Sequence, residues 1–118
     1  TDAATIQRDR LGSLRAIVER FGGVCVLKGA GTLVMAGRAP AWVCDRGNPG
    51  MATAGTGDVL TGIIASLVAG GTDPLQAAAA GVLLHACAGD RASAAGERGL
   101  VAGDLIDELR NCVNPPWN

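Results

Sequence analysis

The chain has 118 residues, ten basic and eleven acidic side chains, a formal net charge of −1, and only three aromatic residues, two Trp and one Phe. An apolar fraction of 48% against 18% charged excludes intrinsic disorder, and eighteen glycines without a strict third-position period exclude a collagen-like fibre. The near-neutral charge and scarce aromatics exclude the basic surface and stacking platforms with which proteins grip nucleic acid, so no nucleic-acid partner is predicted.

At this length one domain can bury roughly two thirds of its unfolded surface. The polar stretch Thr1–Arg10 has no apolar signal core. The longest apolar tract, Ala77–Ala88, is broken by Gly81 and His85 and is shorter than the about 20 residues that span a bilayer. A cytoplasmic chain with no membrane partner is predicted. Leu11, Leu14, Ile17, Val18 and Phe21 recur at helical spacing from Asp9 to Phe21, and Gly22-Gly23 ends that helix. Val24–Leu27 suits a strand covered on both faces, leading into Lys28-Gly29-Ala30-Gly31-Thr32. Leu33–Ala36 and Ala41–Cys44 read as two strands joined by a hairpin-like turn at Gly37–Pro40. A loop from Asp45 to Thr56 precedes a helix predicted to begin at Asp58 and to end at Gly70-Gly71. Thr72-Asp73-Pro74 supplies a cap and first-turn proline for a long Ala-rich helix to about Arg91, whose few bulky side chains predict close packing. A short helix over Asp104–Arg110 and a stop at Pro115-Pro116 complete the reading. Helices alternating with buried strands and then clustering favour an α/β layered fold with a small sheet.

The most informative stretch is Gly47–Gly62, and above all Gly55-Thr56-Gly57-Asp58. A helix starting there presents unpaired N–H groups and a partial positive end, and the glycines let an anion approach the backbone. Gly55, Thr56 and Gly57 are therefore candidates for an anion hole. Asp58 is the candidate general base, a carboxylate able to take a proton from a substrate hydroxyl while the helix end stabilises phosphoryl charge. A Walker A loop is absent, and the dinucleotide fingerprint would need Gly where Leu60 stands. The plainer alternative makes Asp58 a cap and the glycines a turn; the length of the motif argues against it. Lys28–Thr32, with a cation, two glycines and a hydroxyl at a strand end, is the second candidate, for a nucleotide.

His85, the only histidine, lies in an Ala- and Leu-rich helix and reads as packed or rim-lying rather than as a proton carrier. It is two residues from Cys87, on a nearly opposite helix face, so no metal pair is predicted. Asp90 and Asp104 are candidates to lie near the site but read rather as helix caps or solvated surface, and Arg8 and Arg10 as a solvated face. Cys25, Cys44, Cys87 and Cys112 read as reduced, packed thiols.

Lys28–Thr32, Gly47–Ala52, Gly55–Gly62, Leu84-His85-Ala86, Ala88-Gly89-Asp90 and Gly99–Ile106, in this order and spacing, closely resemble the carboxyl-terminal half of the ADP-dependent NAD(P)H-hydrate dehydratases. The resemblance covers almost the whole chain. It implies a ribokinase-like layered α/β fold, with residues 1–118 forming the carboxyl-terminal part of one domain. It further implies dehydration of the S-form of hydrated NADH or NADPH with ADP or ATP as co-substrate and Mg2+. With ADP, the products are the restored nucleotide, AMP and phosphate. By the same resemblance Lys28, Gly29, Ala30, Gly31, Thr32 and Gly57 contact the adenine nucleotide, Asp58 contacts the hydrated nicotinamide, and the assembly is a homo-oligomer, a tetramer. The upstream half of such enzymes and the epimerase domain fused to some of them are not in this sequence, and Ala54 stands where many relatives carry Gly. Two alternatives remain: a same-superfamily kinase of a small vitamin-precursor alcohol, and a non-catalytic nucleotide-binding remnant. Exposed apolar surface is expected where the upstream half would dock.

Overall fold

Asp9 opens helix α1, Arg10–Phe21, by accepting a hydrogen bond on Oδ1 from Gly12 N at 2.9 Å, and Gly22, at a φ of 70°, closes it with its N–H on Val18 O. The computed structural model describes residues 8–114; the polar stretch before residue 8 and the Pro115-Pro116 stop lie outside the described residues. Three strands follow, β1 (Val24–Leu27), β2 (Leu33–Ala36) and β3 (Trp42–Val43), in an antiparallel sheet of order β1-β2-β3. Cys25 pairs with Met35, Leu27 with Leu33, and Leu33 in turn with Val43.

The period-two alternation of side chains divides the core between the two faces of this sheet. On one face Leu33 and Met35 pack on Leu14 and Val18 of α1, with Cys25 and Leu27 beside them. On the other Val34 packs on Leu60, Ala78 and Val82, with Val24 and Val26 alongside. Strand β2 is buried at three consecutive positions because it is central and covered on both sides. Strand β1 has the expected cover on both faces yet is only half-buried, since no described strand pairs with its outer edge. The predicted strand over Ala41–Cys44 shortens to Trp42–Val43, whose side chains are mostly exposed, although Cys44 N still donates to Thr32 O at 2.9 Å.

Helix α2 spans Thr56–Ala69, α3 Pro74–Ala92 and α4 Ala102–Val113, with single 3-10 turns at Pro49–Met51 and Ser93–Ala95. Asp73 accepts from Gln76 N at 3.3 Å and Pro74 sits in the first turn of α3, as the sequence predicts. The close packing expected of the Ala-rich helix is found at Gly81, where an added Cβ would lie 2.6 Å from Ile64 Cγ1 of α2, and at Gly89, where it would run into the Met51 thioether. Helix α4 is longer than the predicted Asp104–Arg110 segment. Asp104 sits at its third position and accepts from Val101 N at 2.9 Å, so the capping role expected of Asp104 is met. A third core cluster, Ala88, Leu100, Leu105 and Cys112, joins α4 to α3, and Arg91 Nε meets Glu108 Oε2 at 2.9 Å above it. The side-chain amide of Asn111, and after it Arg91, hold the Glu108 carboxyl below its usual range. All four cysteines are free thiols and each packs on a core cluster; Cys112 is buried and the other three are half-buried. Burial pushes the Cys25 and Cys112 thiols up.

The layers are thus one helix, a three-stranded sheet and three helices. Phe21, Trp42, Val43 and Ile106 are each more than half exposed, and a groove along Val24 and Val26 runs beside Leu60 and Ile64. No helix among the described residues is long and apolar enough to cross a membrane.

Candidate active site

The loop Lys28–Thr32 connects β1 to β2, and its backbone is held from behind by side chains. Thr32 Oγ1 donates to Gly29 O at 3.1 Å. The Arg10 guanidinium, from the first turn of α1, donates to Ala30 O at 2.5 Å, Gly31 O at 3.1 Å, Leu27 O at 3.2 Å and Lys28 O at 3.4 Å. Five consecutive carbonyls, from Leu27 to Gly31, therefore carry a side-chain donor. The expectation that Arg10 belongs to a solvated face is corrected here: the helical start at Arg10 points its guanidinium across β1 into the loop. Gly29 and Gly31 have φ values of 143° and 68°, a backbone course that side-chain-bearing residues rarely adopt.

The second wall is the segment from Asp45 to the start of α2. Asp90 of α3 accepts from Gly47 N at 3.0 Å and from Asn48 Nδ2 at 2.9 Å, while Asn48 Oδ1 accepts from Gly50 N at 3.0 Å. Asp90 is thus neither a cap nor a solvated acid, as the sequence led us to expect. It ties the glycine-rich loop to α3 across 43 residues. Thr56 is a junction: its hydroxyl lies 2.7 Å from Met51 O and 3.0 Å from Thr53 O, and its own carbonyl accepts from His85 Nε2 at 2.8 Å. A carbonyl only accepts, so Nε2 carries the proton in the neutral ring. Burial lowers the His85 pKa, the bond to Thr56 opposes that shift, and the Lys28 charge adds to it.

These contacts set the start of α2 two residues before the predicted Asp58. Gly55, at a φ of 89°, is the N-cap, and Thr56, Gly57 and Asp58 form the first turn. Of the three anion-hole candidates, Thr56 turns its hydroxyl away and engages its N–H on Thr53 O at 3.4 Å. Gly55 makes the left-handed entry, and Gly57 offers its backbone N–H at the positive end of the helix. The two walls meet at Gly57: a Cβ there would run into the Lys28 ammonium, so the absence of a side chain lets the cation lie against the helix start.

Between the walls lies a cleft of about 990 Å³. All predicted site residues line it: Lys28, Gly29, Ala30, Gly31 and Thr32 on one side, and Gly55, Thr56, Gly57 and Asp58 on the other. His85, half-buried and held on Thr56 O, also lines it, as do Asp45, Arg46 and Asn48. Arg46 also reaches Cys87 Sγ at 3.6 Å. Sequence reasoning missed Arg10 and Arg46 as site elements, and it weighed Asp90 as a neighbour of the site but set that role below capping or solvated surface. Two cations and two carboxylates thus share one cleft beside a helix start, an arrangement suited to a polyphosphate with a hydroxyl-bearing second molecule near Asp58. No group of three or more His, Cys, Asp or Glu among the described residues could cage a metal ion. Mg2+ carried on a nucleotide's phosphates would find carboxylate oxygens of Asp45 or Asp58 in the cleft lining.

Comparison with known proteins accounts for the combination. Residues 1–111 match the family model of NAD(P)H-hydrate dehydratase. The bifunctional NAD(P)H-hydrate repair enzyme Nnr of Coxiella burnetii is 50% identical over 111 residues, which are 93% of this chain and 23% of that protein. The ADP-dependent (S)-NAD(P)H-hydrate dehydratase of Neisseria meningitidis is 45% identical over 112 residues, 93% of this chain and 38% of that enzyme. The ADP/ATP-dependent NAD(P)H-hydrate dehydratase of Bacillus subtilis, co-crystallised with ATP/Mg2+, superposes with a TM-score of 0.82 at 30% identity, over 91% of this chain and 39% of that one. The chain therefore spans well under half the length of the relatives it matches. From its sequence, its layered fold and the solved structures it superposes on, the chain belongs to the NAD(P)H-hydrate dehydratase family.

Proposed function

We propose that the chain carries the nucleotide and catalytic loops of an ADP- or ATP-dependent dehydratase acting on the S-form of hydrated NADH or NADPH. One observation carries the proposal: a single cleft sets the Lys28–Thr32 loop against the start of α2, with Lys28 on Gly57 and Asp58 in the same helical turn. In this reading Lys28 and the loop amides hold the phosphates of ADP, while the N–H of Gly57 and the positive helix end face the group being transferred. Asp58 takes the proton from the hydroxyl of the hydrated ring. That oxygen attacks the terminal phosphorus of ADP and AMP leaves. The phosphate ester then breaks its C–O bond, the ring loses a proton, and the double bond reforms with release of phosphate. A positioned base of this kind supplies about 10²–10⁴-fold in rate. Asp45 or Asp58 would supply oxygens to a Mg2+ ion accompanying the nucleotide, which would neutralise charge on the transferred group.

We read the 118 residues as the carboxyl-terminal part of the catalytic domain, so that this cleft is one wall of a larger crevice, in a cytoplasmic homo-oligomer. The solved neighbours, of which the chain covers about two fifths, and the exposed Phe21, Trp42 and Val43 support that reading. The test is to add hydrated NADH with ADP or ATP and to follow nicotinamide absorbance and phosphate together. Recovery of absorbance with one phosphate per NADH supports the proposal. Phosphoryl transfer to a vitamin-precursor alcohol instead, or nucleotide binding with no recovery even when the chain is joined to the remaining length of a relative's domain, refutes it.

A further inference from the structure

We infer that Arg10 is a positioning residue, which fixes the Lys28–Thr32 loop in the form that presents its N–H edge and the Lys28 ammonium to the phosphates of a nucleoside diphosphate. The inference rests on the nucleotide role proposed above and adds to it a residue from outside the loop. A peptide loop has two polar edges, and one that binds anions must turn its carbonyls away. Here Arg10 alone reaches four of them, at 2.5 to 3.4 Å, and Thr32 reaches the fifth. Among the described residues no group accepts from the N–H of Gly29, Ala30 or Gly31. Gly29 and Gly31, at φ values of 143° and 68°, give the loop a turned course, and successive backbone N–H groups in a turn form an anion-binding concavity. A planar guanidinium with five donors in a fork suits this task, whereas an ammonium, with three donors on one atom, can reach only part of the arc. Arg10 does not line the cleft, so it acts through the loop rather than on the ligand.

The test compares the wild type with Arg10→Lys and Arg10→Gln. In the ligand-free proteins, backbone ¹⁵N order parameters of Gly29, Ala30 and Gly31 are expected to fall from roughly 0.85, the rigid value, to below roughly 0.6 in both variants. Order parameters in β1 and β2 and the thermal midpoint are expected to stay at the wild-type values. The Kd for ADP, by calorimetry, is expected to rise at least about tenfold, and Arg10→Lys should not rescue it, because charge alone does not restore the four bonds. Unchanged loop order in both variants overturns the inference. So does ADP affinity within twofold of the wild type despite a loosened loop, and so does loosening that spreads to the strands with a fallen midpoint, which marks a structural role. If the wild type itself fails to bind ADP, the proposed function fails, and the order parameters still decide whether Arg10 holds the loop.

Discussion

Gly81→Ala and Gly62→Ala form a matched pair in which the same chemical change has opposite consequences. Both glycines lie inside helices, and alanine in a helix interior is favoured over glycine by about 1 kcal/mol. At Gly62 an added Cβ meets nothing within 4 Å. At Gly81 it lies 2.6 Å from Ile64 Cγ1 and 3.6 Å from both Ile64 Cα and Ile63 Cγ2. Carbon atoms in good contact are about 3.5–4.0 Å apart, so the first distance is short by about 1 Å. Ile64 is β-branched on a helix and has one strongly preferred rotamer, so it cannot swing clear; α2 and α3 must part. Forcing a methyl into such a contact costs about 1–3 kcal/mol. The helix-propensity gain is common to both variants, so the difference between them is that same strain. Urea and thermal melts read it: at roughly 3–5 °C per kcal/mol for a domain of this size, the midpoints of the two variants should differ by roughly 3–15 °C, with Gly62→Ala above wild type. Ile64→Ala removes the opposing atom, so the double variant Gly81→Ala/Ile64→Ala should be more stable than the two single changes sum to. Equal stabilisation by both glycine changes would refute the close helix approach.

Three further outcomes follow from the site. Asp58→Asn should lower turnover of hydrated NADH by about 10²-fold or more while leaving the Kd for ADP within about threefold; near-normal turnover removes Asp58 from the base role. Gly57→Ala places a methyl on the flexible end of Lys28, so the thermal midpoint should hold while the Kd for ADP rises, and calorimetry that finds no change would detach Lys28 from the phosphates. His85 has a folded pKa below its ordinary value, so below that value the unfolded chain holds a proton that the folded chain does not. Its contribution is therefore full above about pH 6.5 and is lost as pH falls through the lower, folded value. Urea midpoints should decline from pH 7.5 to 5.5 in the wild type and more weakly in His85→Gln, whose amide can still donate to Thr56 O; identical slopes would contradict the assignment.

What the sequence made legible was local. Periodicity located α1 and the apolar stripes, and the cap-and-proline start of α3 at Asp73-Pro74 is written in three consecutive residues. The two loops of the site were legible because each is a contiguous motif, and the cleft brings them together. Contacts between distant segments were hidden. Arg10 meets its carbonyls 17 to 21 residues away, and Asp90 meets Gly47 and Asn48 across more than 40, so neither carries a local signature. The start of α2 was misplaced for a related reason. Asp58 looks like a cap, but the cap position falls to Gly55 because buried Thr56 is pinned by Met51, Thr53 and His85. Strand β3 was overextended because Ala41–Cys44 is uniformly apolar, and composition does not say where pairing with β2 stops.

The order of elements along the chain has a kinetic consequence. Helix α1 packs on β1 and β2, the strands pair with their immediate successors, and α2, α3 and α4 pack in sequence, so most loops closed during folding are short. Short closures cost little entropy and place such a chain toward the fast end of the folding range. The exceptions are the contacts between the strand-rich and the helical halves: Val34 on Leu60, Ala78 and Val82, and the cleft, whose two walls come one from each half. Local structure can therefore form in each half before the two loops meet.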